Sequence, residues 1–370
     1  MALSGSTFLM ITIVVKWNFS IPPFFSNLDK KNQMKNLGTL FCLFLVLVCS
    51  QNSKAVSVRT VIRTANTFIE SLNADEQKAA VIGYTKENAT KWTNLPCGLQ
   101  CRVGVLLGSL TDIQLQNAKA VVKAAMGTLP SKGYDQAMQI LAADGFLGTG
   151  RKGYSEGNYI IAFLGKPSIT GKWQLQLGGH HLAVNLTFDN GKVISASPLF
   201  IGLEPKTWTA NGVTYAPLKA NHDLLIAILA SLSPEQLESA KLNSGFGDVS
   251  VGPGADGKFP ATKAGLKVGV LNKQQKTLVI DAIKAWVQIA DDATVKKLMA
   301  FYTAELDNTY IAYFGGPTLT NKGDYIRIDG PSVWIEFICQ PGAVFPAEVH
   351  YHTVYRDHIR DYGGSFSFFN

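Results

Sequence analysis

The sequence predicts an α+β fold made of two tandem helices-then-strands units, related by pseudo-twofold symmetry, with mixed or antiparallel sheets flanked by helices. Three observations predict it. YIIAFLGKPSITGKWQLQLGGHHLAVNL at 159–186 aligns with TYIAYFGGPTLTNKGDYIRIDGPSVWIEF at 309–337: Pro167 pairs with Pro317 and, after one inserted residue, Gly179 pairs with Gly330. Upstream pieces recur in the same order, SLNADEQ at 71–77 with SLSPEQ at 231–236, and CRVGVL at 101–106 with LKVGVL at 266–271. In each copy, segments with apolar residues at helical spacing precede alternating β-branched and aromatic segments. The repeated unit is about 150 residues, one domain's worth.

The elements follow in chain order. Met34 opens MKNLGTLFCLFLVLVCSQNSKA, with Lys35 at its head, an apolar run from Leu37 to Cys49, and Ser53 and Ala55 before Val56. That is the layout of a secretory signal peptide over 34–55, cleaved after Ala55; the run is short for a membrane span, the alternative being an amino-terminal anchor. Residues 1–33 read as an upstream extension. Positions 1–55 carry Lys16, Lys30, Lys31, Lys35 and Lys54 against Asp29, a net of +4 within the formal +7 of the whole chain. The remaining +3, with no Lys/Arg run, gives nucleic-acid binding no electrostatic basis. The expected protein is secreted or extracytoplasmic, periplasmic in a bacterium, and free of the membrane once the signal is removed.

Repeat unit 1 spans 56–207 and unit 2 spans 218–358, with a tail over 359–370. The periodicity predicts helices over 111–126 and 272–289, and shorter ones around 62–83, 135–145, 222–241 and 293–305, with cap-like sequences at Asn73 and Ser233. Asp189-Asn190-Gly191 is a hairpin turn. A linker falls near Trp208–Leu218, and the Gly/Pro-rich stretch at 245–265 reads as a mobile surface loop. Cys97 and Cys101 could close a small disulfide in an oxidising compartment, stay free thiols, or form half of a metal site; the compartment favours the disulfide. Cys339 is left over and expected to be buried. Asn88-Ala-Thr90 and Asn185-Leu-Thr187 are sequons; Asn88, in a polar loop, is the expected glycan carrier, and Asn185 should be shielded. The aromatic residues at 92, 173, 208, 334 and 351 read as core or turn residues.

The copies diverge at their histidines. Of six in the chain, His180 and His181 open a strand of copy one, and His350, His352 and His358 lie in the last strand region of copy two. The alignment puts Pro331-Ser332 where copy one has its pair, and Ile194-Ser195-Ala196 where copy two has His350-Tyr351-His352. On a strand, His350 and His352 project from one face, roughly 7 Å apart at Cα, and two such imidazoles can share a transition metal. His180 and His181 would point to opposite faces, which favours His181 as the third ligand provided the strand is not buried on both sides. Arg356 and Asp357 form a salt bridge or, on the sharper reading, an outer shell in which Asp357 accepts from a ligand imidazole. Glu204, Glu336 and Glu348 are further candidates for an oxygen ligand or general base. There is no Gly-x-Ser-x-Gly, Walker loop, dinucleotide fingerprint or His-Glu-x-x-His.

GGHHLAVNLTFDNGKVISASPLFIG at 178–202, IDGPSVWIEF at 328–337, VHYHTVYRDHIRDYGG at 349–364 and TKENATKWTNLPCGLQCRVGVLLGSLTDIQ at 85–114 together resemble the domain-of-unknown-function 3500 family, over about residues 60–364. The resemblance implies a secreted or periplasmic protein and brings no reaction; the CGLQC segment departs from the family pattern. Two functions are expected. One is a secreted metalloprotein, with His350, His352 and one of His180 and His181 holding copper or zinc beside an open position for water or a small-molecule substrate. The other is a non-catalytic binding or structural module in which the histidines only hydrogen-bond.

Overall fold

The computed structural model describes residues 57–368; the expected upstream extension and signal peptide lie outside the described residues. The helices are α1 (Val58–Ser71), α2 (Ala74–Ala80), α3 (Lys86–Ala89), α4 (Asp112–Ala125), α5 (Gly133–Gly150), α6 (Lys219–Ala230), α7 (Pro234–Ala240), α8 (Lys273–Val287) and α9 (Asp292–Ala304). Capping boxes decide where four of them start. Asn73 Oδ1 accepts from the Asp75 and Glu76 backbone N–H groups, at 3.0 Å each, while Glu76 accepts from Asn73 N–H at 2.9 Å. Thr111, Ser233 and Asn272 open α4, α7 and α8 in the same way, each with a glutamine at the third position. The stretches expected as single helices over 62–83 and 222–241 are therefore pairs, because the cap restarts the helix after a break in extended backbone at Leu72 and Asn73 and in a tight turn at 231–233.

The helical halves match in detail. Gln114 Nε2 donates to the Ser71 carbonyl at 2.9 Å, and Gln275 Nε2 donates to the Ser231 carbonyl at 2.7 Å. Each glutamine ties its long helix to the junction between the two helices of the preceding pair.

The strands are β1 (Val81–Ile82), β2 (Val105–Leu106), β3 (Ile160–Leu164), β4 (Lys172–Gly179), β5 (Leu182–Asp189), β6 (Lys192–Ser195), β7 (Leu199–Leu203), β8 (Trp208–Ala210), β9 (Val213–Tyr215), β10 (Leu266–Lys267), β11 (Tyr310–Phe314), β12 (Tyr325–Asp329), β13 (Val333–Pro341) and β14 (Val349–Asp357). Twelve of them form one mixed sheet in the order β1-β3-β4-β5-β7-β14-β13-β12-β11-β10, with β2 on β3 and β6 on β5. From the antiparallel β7–β14 pair outward the order reads alike in both directions, β5-β4-β3 on one side and β13-β12-β11 on the other. This is the arrangement that a pseudo-twofold pair of units would give. Asn190 and Gly191 turn β5 into β6 with φ 45° and 71°, the positive values that a tight hairpin requires. The segment expected as a linker near 208–218 carries the separate β8–β9 hairpin.

The sheet is buried on both faces. The helices cover one, where Val121, Ile140, Ile283 and Trp286 pack against Leu175, Leu186, Ile201, Ile335 and Phe337. The short helix α3 and irregular chain cover the other: Ala89, Trp92, Val249, Val251 and Tyr362 pack against Ala183, Phe200, Trp334, Ile338 and Val354. Two expectations change here. The 245–265 segment is a folded strap rather than a mobile loop, because Glu336, fully buried on β13, accepts from Ser250 N–H (2.7 Å), Ser250 Oγ (2.7 Å) and Val251 N–H (2.9 Å). Residues 359–368, set apart in the sequence as a tail, also pack: Tyr362 is fully buried, accepting from Trp92 Nε1 at 2.6 Å and donating to Asp256 at 2.6 Å.

Candidate metal centre

Three adjacent strands at the middle of the sheet bring histidines from both halves together. His350 and His352 project from the start of β14 on the face that the strap covers. His352 is paired across the sheet with Gly202 of β7, and Gly202 N–H donates to the His181 carbonyl at 2.7 Å from the other side. A glycine thus stands between two histidines. A Cβ at position 202 would lie 2.5 Å from His181 Cδ2, so the missing side chain is what lets the imidazole lie over β7.

The sequence predicts that His180 and His181 project from opposite faces of a strand, and they do not. β4 ends at Gly179 and β5 begins at Leu182, so both histidines form the two-residue tip of the hairpin, with His181 at φ 62°. Histidine is one of the residues enriched in that left-handed region. The rings stack on each other with centroids 3.6 Å apart. The tip is held by its backbone: Tyr159 Oη donates to the His180 carbonyl, Arg102 Nη2 donates to the Gly179 carbonyl at 2.7 Å, and His181 N–H donates to the Asn94 carbonyl at 3.2 Å. Arg102 also donates to the Thr93 and Leu95 carbonyls at 2.7 and 2.6 Å, which binds the Cys97–Cys101 loop to the hairpin. The two cysteines lie at disulfide distance, with Cα atoms 5.9 Å apart.

The ligand atoms converge. His350 Nε2 lies 3.0 Å from His352 Nε2, which lies 3.4 Å from His181 Nε2; all three residues are buried. Nitrogen ligands at about 2.0–2.1 Å around a tetrahedral ion sit about 3.3–3.4 Å from one another, so these separations are close to those of a bound set. Two N–H groups cannot face each other at 3.0 Å, so at least one nitrogen of the first pair presents its lone pair. The Asp248 carboxylate, 2.9 Å from His352 Nδ1, places the His352 proton there and leaves Nε2 bare. Burial, reinforced by the other three imidazoles, holds His181 well below the usual histidine range, and burial with His352 nearby lowers His350 to about 4. Burial works against the Asp248 carboxylate, but the hydrogen bond and charge of His352 outweigh it and the group lies below its ordinary range.

A second set, Asp144, His180 and His181, is equally close-knit. It suits a metal less well, because imidazole lone pairs lie in the ring planes, and the stacked His180 and His181 rings, 28° from parallel, direct theirs side by side rather than to one point. Asp144 instead bonds His180 Nδ1 at 2.7 Å, and its carboxyl is raised by burial against the pull of His180.

Several expected roles move elsewhere. Arg356 and Asp357 do not form an outer shell for the histidines. Arg356 is fully buried between Asp361 and Asp256, at 2.6 and 2.7 Å, while Asp357 takes the Tyr302 hydroxyl at 2.6 Å and Arg360 at 3.1 Å. They lie on the far stretch of β14, where they close the strap and the carboxy-terminal turn. His358 packs on Phe259 with centroids 3.9 Å apart, and His222 Nε2–H donates to the Leu319 carbonyl at 3.0 Å. Glu336 spends both oxygens on the strap, Tyr325 and Trp334, which removes it as a base. Asn88 sits in α3 rather than a loop, half-buried, with Nδ2 donating to Gly83 at 2.9 Å. Asn185 is buried between Gln174 and the Pro198 carbonyl, at 2.8 Å from each.

The sequence reading missed the two carboxylates that orient histidines. Asp144 had a signal: it lies on the α5 stripe of Ala137, Ile140, Leu141 and Leu147, a charge on a buried helical face. Asp248 had none, since only the folded strap carries it to His352.

No curated protein and no solved structure matches the chain. The family described as proteins of unknown function, DUF3500, matches residues 54–364, most of the chain including every residue of the histidine cluster and both carboxylates, and the chain belongs to that family.

Proposed function

We propose that this protein holds one transition-metal ion, copper or zinc, through His181, His350 and His352, with a coordination position left for water or a small-molecule substrate. The single observation that carries this reading is the convergence of three buried Nε2 atoms, from both halves of the chain, with a carboxylate fixing the tautomer of one of them. Neutral imidazoles suit copper or zinc rather than magnesium or calcium, which take oxygen. Zinc would supply Lewis acidity for hydrolysis and copper would supply electron transfer for oxidation. The chain's own part is positional: Gly202 admits the His181 ring, Arg102 and Tyr159 hold the hairpin tip, and Glu336 anchors the strap from which Asp248 orients His352.

Metal analysis of protein purified without a histidine tag tests the reading. One equivalent in the wild type, lost in the His350→Ala/His352→Ala double variant, is the expected result. Equal substoichiometric metal in both would leave the histidines as hydrogen-bonding residues of a binding or structural module. Export belongs to the same proposal, supported by the signal-like 34–55 segment and the paired Cys97 and Cys101. Mass spectrometry of exported protein should find an amino terminus at Val56.

A further inference from the structure

One buried carboxylate near the histidines has no part in the ligand set or its hydrogen bonds. Glu204 directly follows β7, at a position that shares the Gly202 face of that strand, and it is 1% exposed. The β14–β7 register pairs His352 with Gly202 and Tyr351 with Leu203, so one further step sets Glu204 across from His350. Its charge acts on His350. One oxygen is fixed: Oε1 accepts from the Val344 and Phe345 backbone N–H groups at 2.7 and 2.8 Å. The other, Oε2, is buried with no protein donor. A buried carboxylate oxygen without a donor is costly, so such an atom marks a place where a donor belongs. Glu204 is not a member of the tight ligand set of His181, His350 and His352.

Resting on the metal reading, we propose that Glu204 Oε2 receives a hydrogen bond from whatever occupies the open coordination position, so that the site favours ligands bearing an O–H group, such as water or an alcohol, over small anions that carry no proton. The neutral histidines add nothing to the ion's own positive charge, and the fixed carboxylate offsets part of its attraction for an incoming anion.

The test uses copper(II)-loaded full-length protein and azide, an anion without a donor, read through its charge-transfer absorption. Glu204→Gln keeps an acceptor for Val344 and Phe345 and replaces Oε2 with a donor. With equal metal loading, azide should bind the variant at least about tenfold more tightly than the wild type, from removal of a like charge. Equal loading with equal azide affinity overturns the role of Glu204 and leaves the metal site standing. Failure of the wild type to load copper overturns both. If the variant does not melt cooperatively, infrared difference spectra of the wild type with and without saturating azide serve instead. A perturbed buried carboxylate band is expected, and an unchanged carboxylate region contradicts the proposal.

Discussion

Replacing Gly202 with alanine adds one methyl group at the centre of the sheet, where that methyl has nowhere to go. Its Cβ would meet His181 Cδ2 at 2.5 Å, Cγ at 2.7 Å and Cβ at 3.0 Å. Ordinary carbon contacts begin near 3.5 Å, so the ring or strand must retreat by about 1 Å. Metal–ligand distances tolerate only about 0.2 Å, so His181 would leave the set. The overpacking should destabilise the metal-free protein by about 1–3 kcal/mol, and metal affinity should fall at least as far as the roughly 10–100-fold typical of lost outer-shell support. Gly178→Ala is the control, since its Cβ would meet nothing closer than the Leu182 carbonyl at 3.5 Å. It should be neutral or stabilise by about 0.4–1 kcal/mol through the unfolded chain. Thermal melts in chelator and a metal titration, run on both variants, read the contrast. Wild-type affinity and melting in Gly202→Ala would refute the placement of His181 over β7.

Other outcomes follow from the same geometry. Asp248→Asn should weaken metal binding about 10–100-fold with little change in the chelated protein's melting, since the Asp248 side chain is 45% exposed and an asparagine oxygen can still accept from Val249 N–H. In chelated protein, His350 near 4 and a depressed His181 stand against about 6.5 when unfolded. The unfolded chain therefore binds more protons between those values, and stability should be flat above about pH 7 and fall from about 6.5 down through 4, by about 3 kcal/mol from His350 alone. A melting temperature that does not fall across that window would show these imidazoles to be solvated. Fragments 56–207 and 218–370 should each aggregate or stay partly unfolded, because β7 and β14 pair across the divide and one core serves both; a cooperatively folding half that binds metal as the whole protein does would contradict a shared site. Mass spectrometry after expression in a glycosylating host should find Asn185 unmodified, given its burial.

What the sequence showed and hid follows from how local each signal is. The caps at Asn73 and Ser233, the Asp189-Asn190-Gly191 turn and the matched segments around 159–186 and 309–337 are local, and they gave the α+β class and the helices-then-strands order. The His350-x-His352 spacing is local too, because strand pleat alone puts both rings on one face. His180 and His181 misled because Gly-Gly-His-His reads as continuous strand, while the chain turns there with His181 in the left-handed region. Parity could not help in any case, since β4 and β5 are buried on both faces. Asp144, Asp248 and the burial of the 245–265 strap depend on contacts between residues far apart in sequence, and composition at 245–265 pointed the other way. Gly and Pro made the strap look free, yet Val249, Val251 and the Glu336 hydrogen bonds fold it onto the sheet. Arg356-Asp357 lies close to the histidines in sequence, which suggests a shared site, but those side chains leave β14 two turns of the pleat further on and serve the carboxy terminus.

X-ray absorption at the metal edge of tag-free, metal-loaded protein most directly tests whether histidines from both halves share one ion. Three imidazole nitrogens at about 2.0–2.1 Å with one exogenous oxygen ligand are expected, falling to two imidazoles in His181→Ala. An edge spectrum with sulfur or only oxygen neighbours, or one that His181→Ala leaves unchanged, would contradict it.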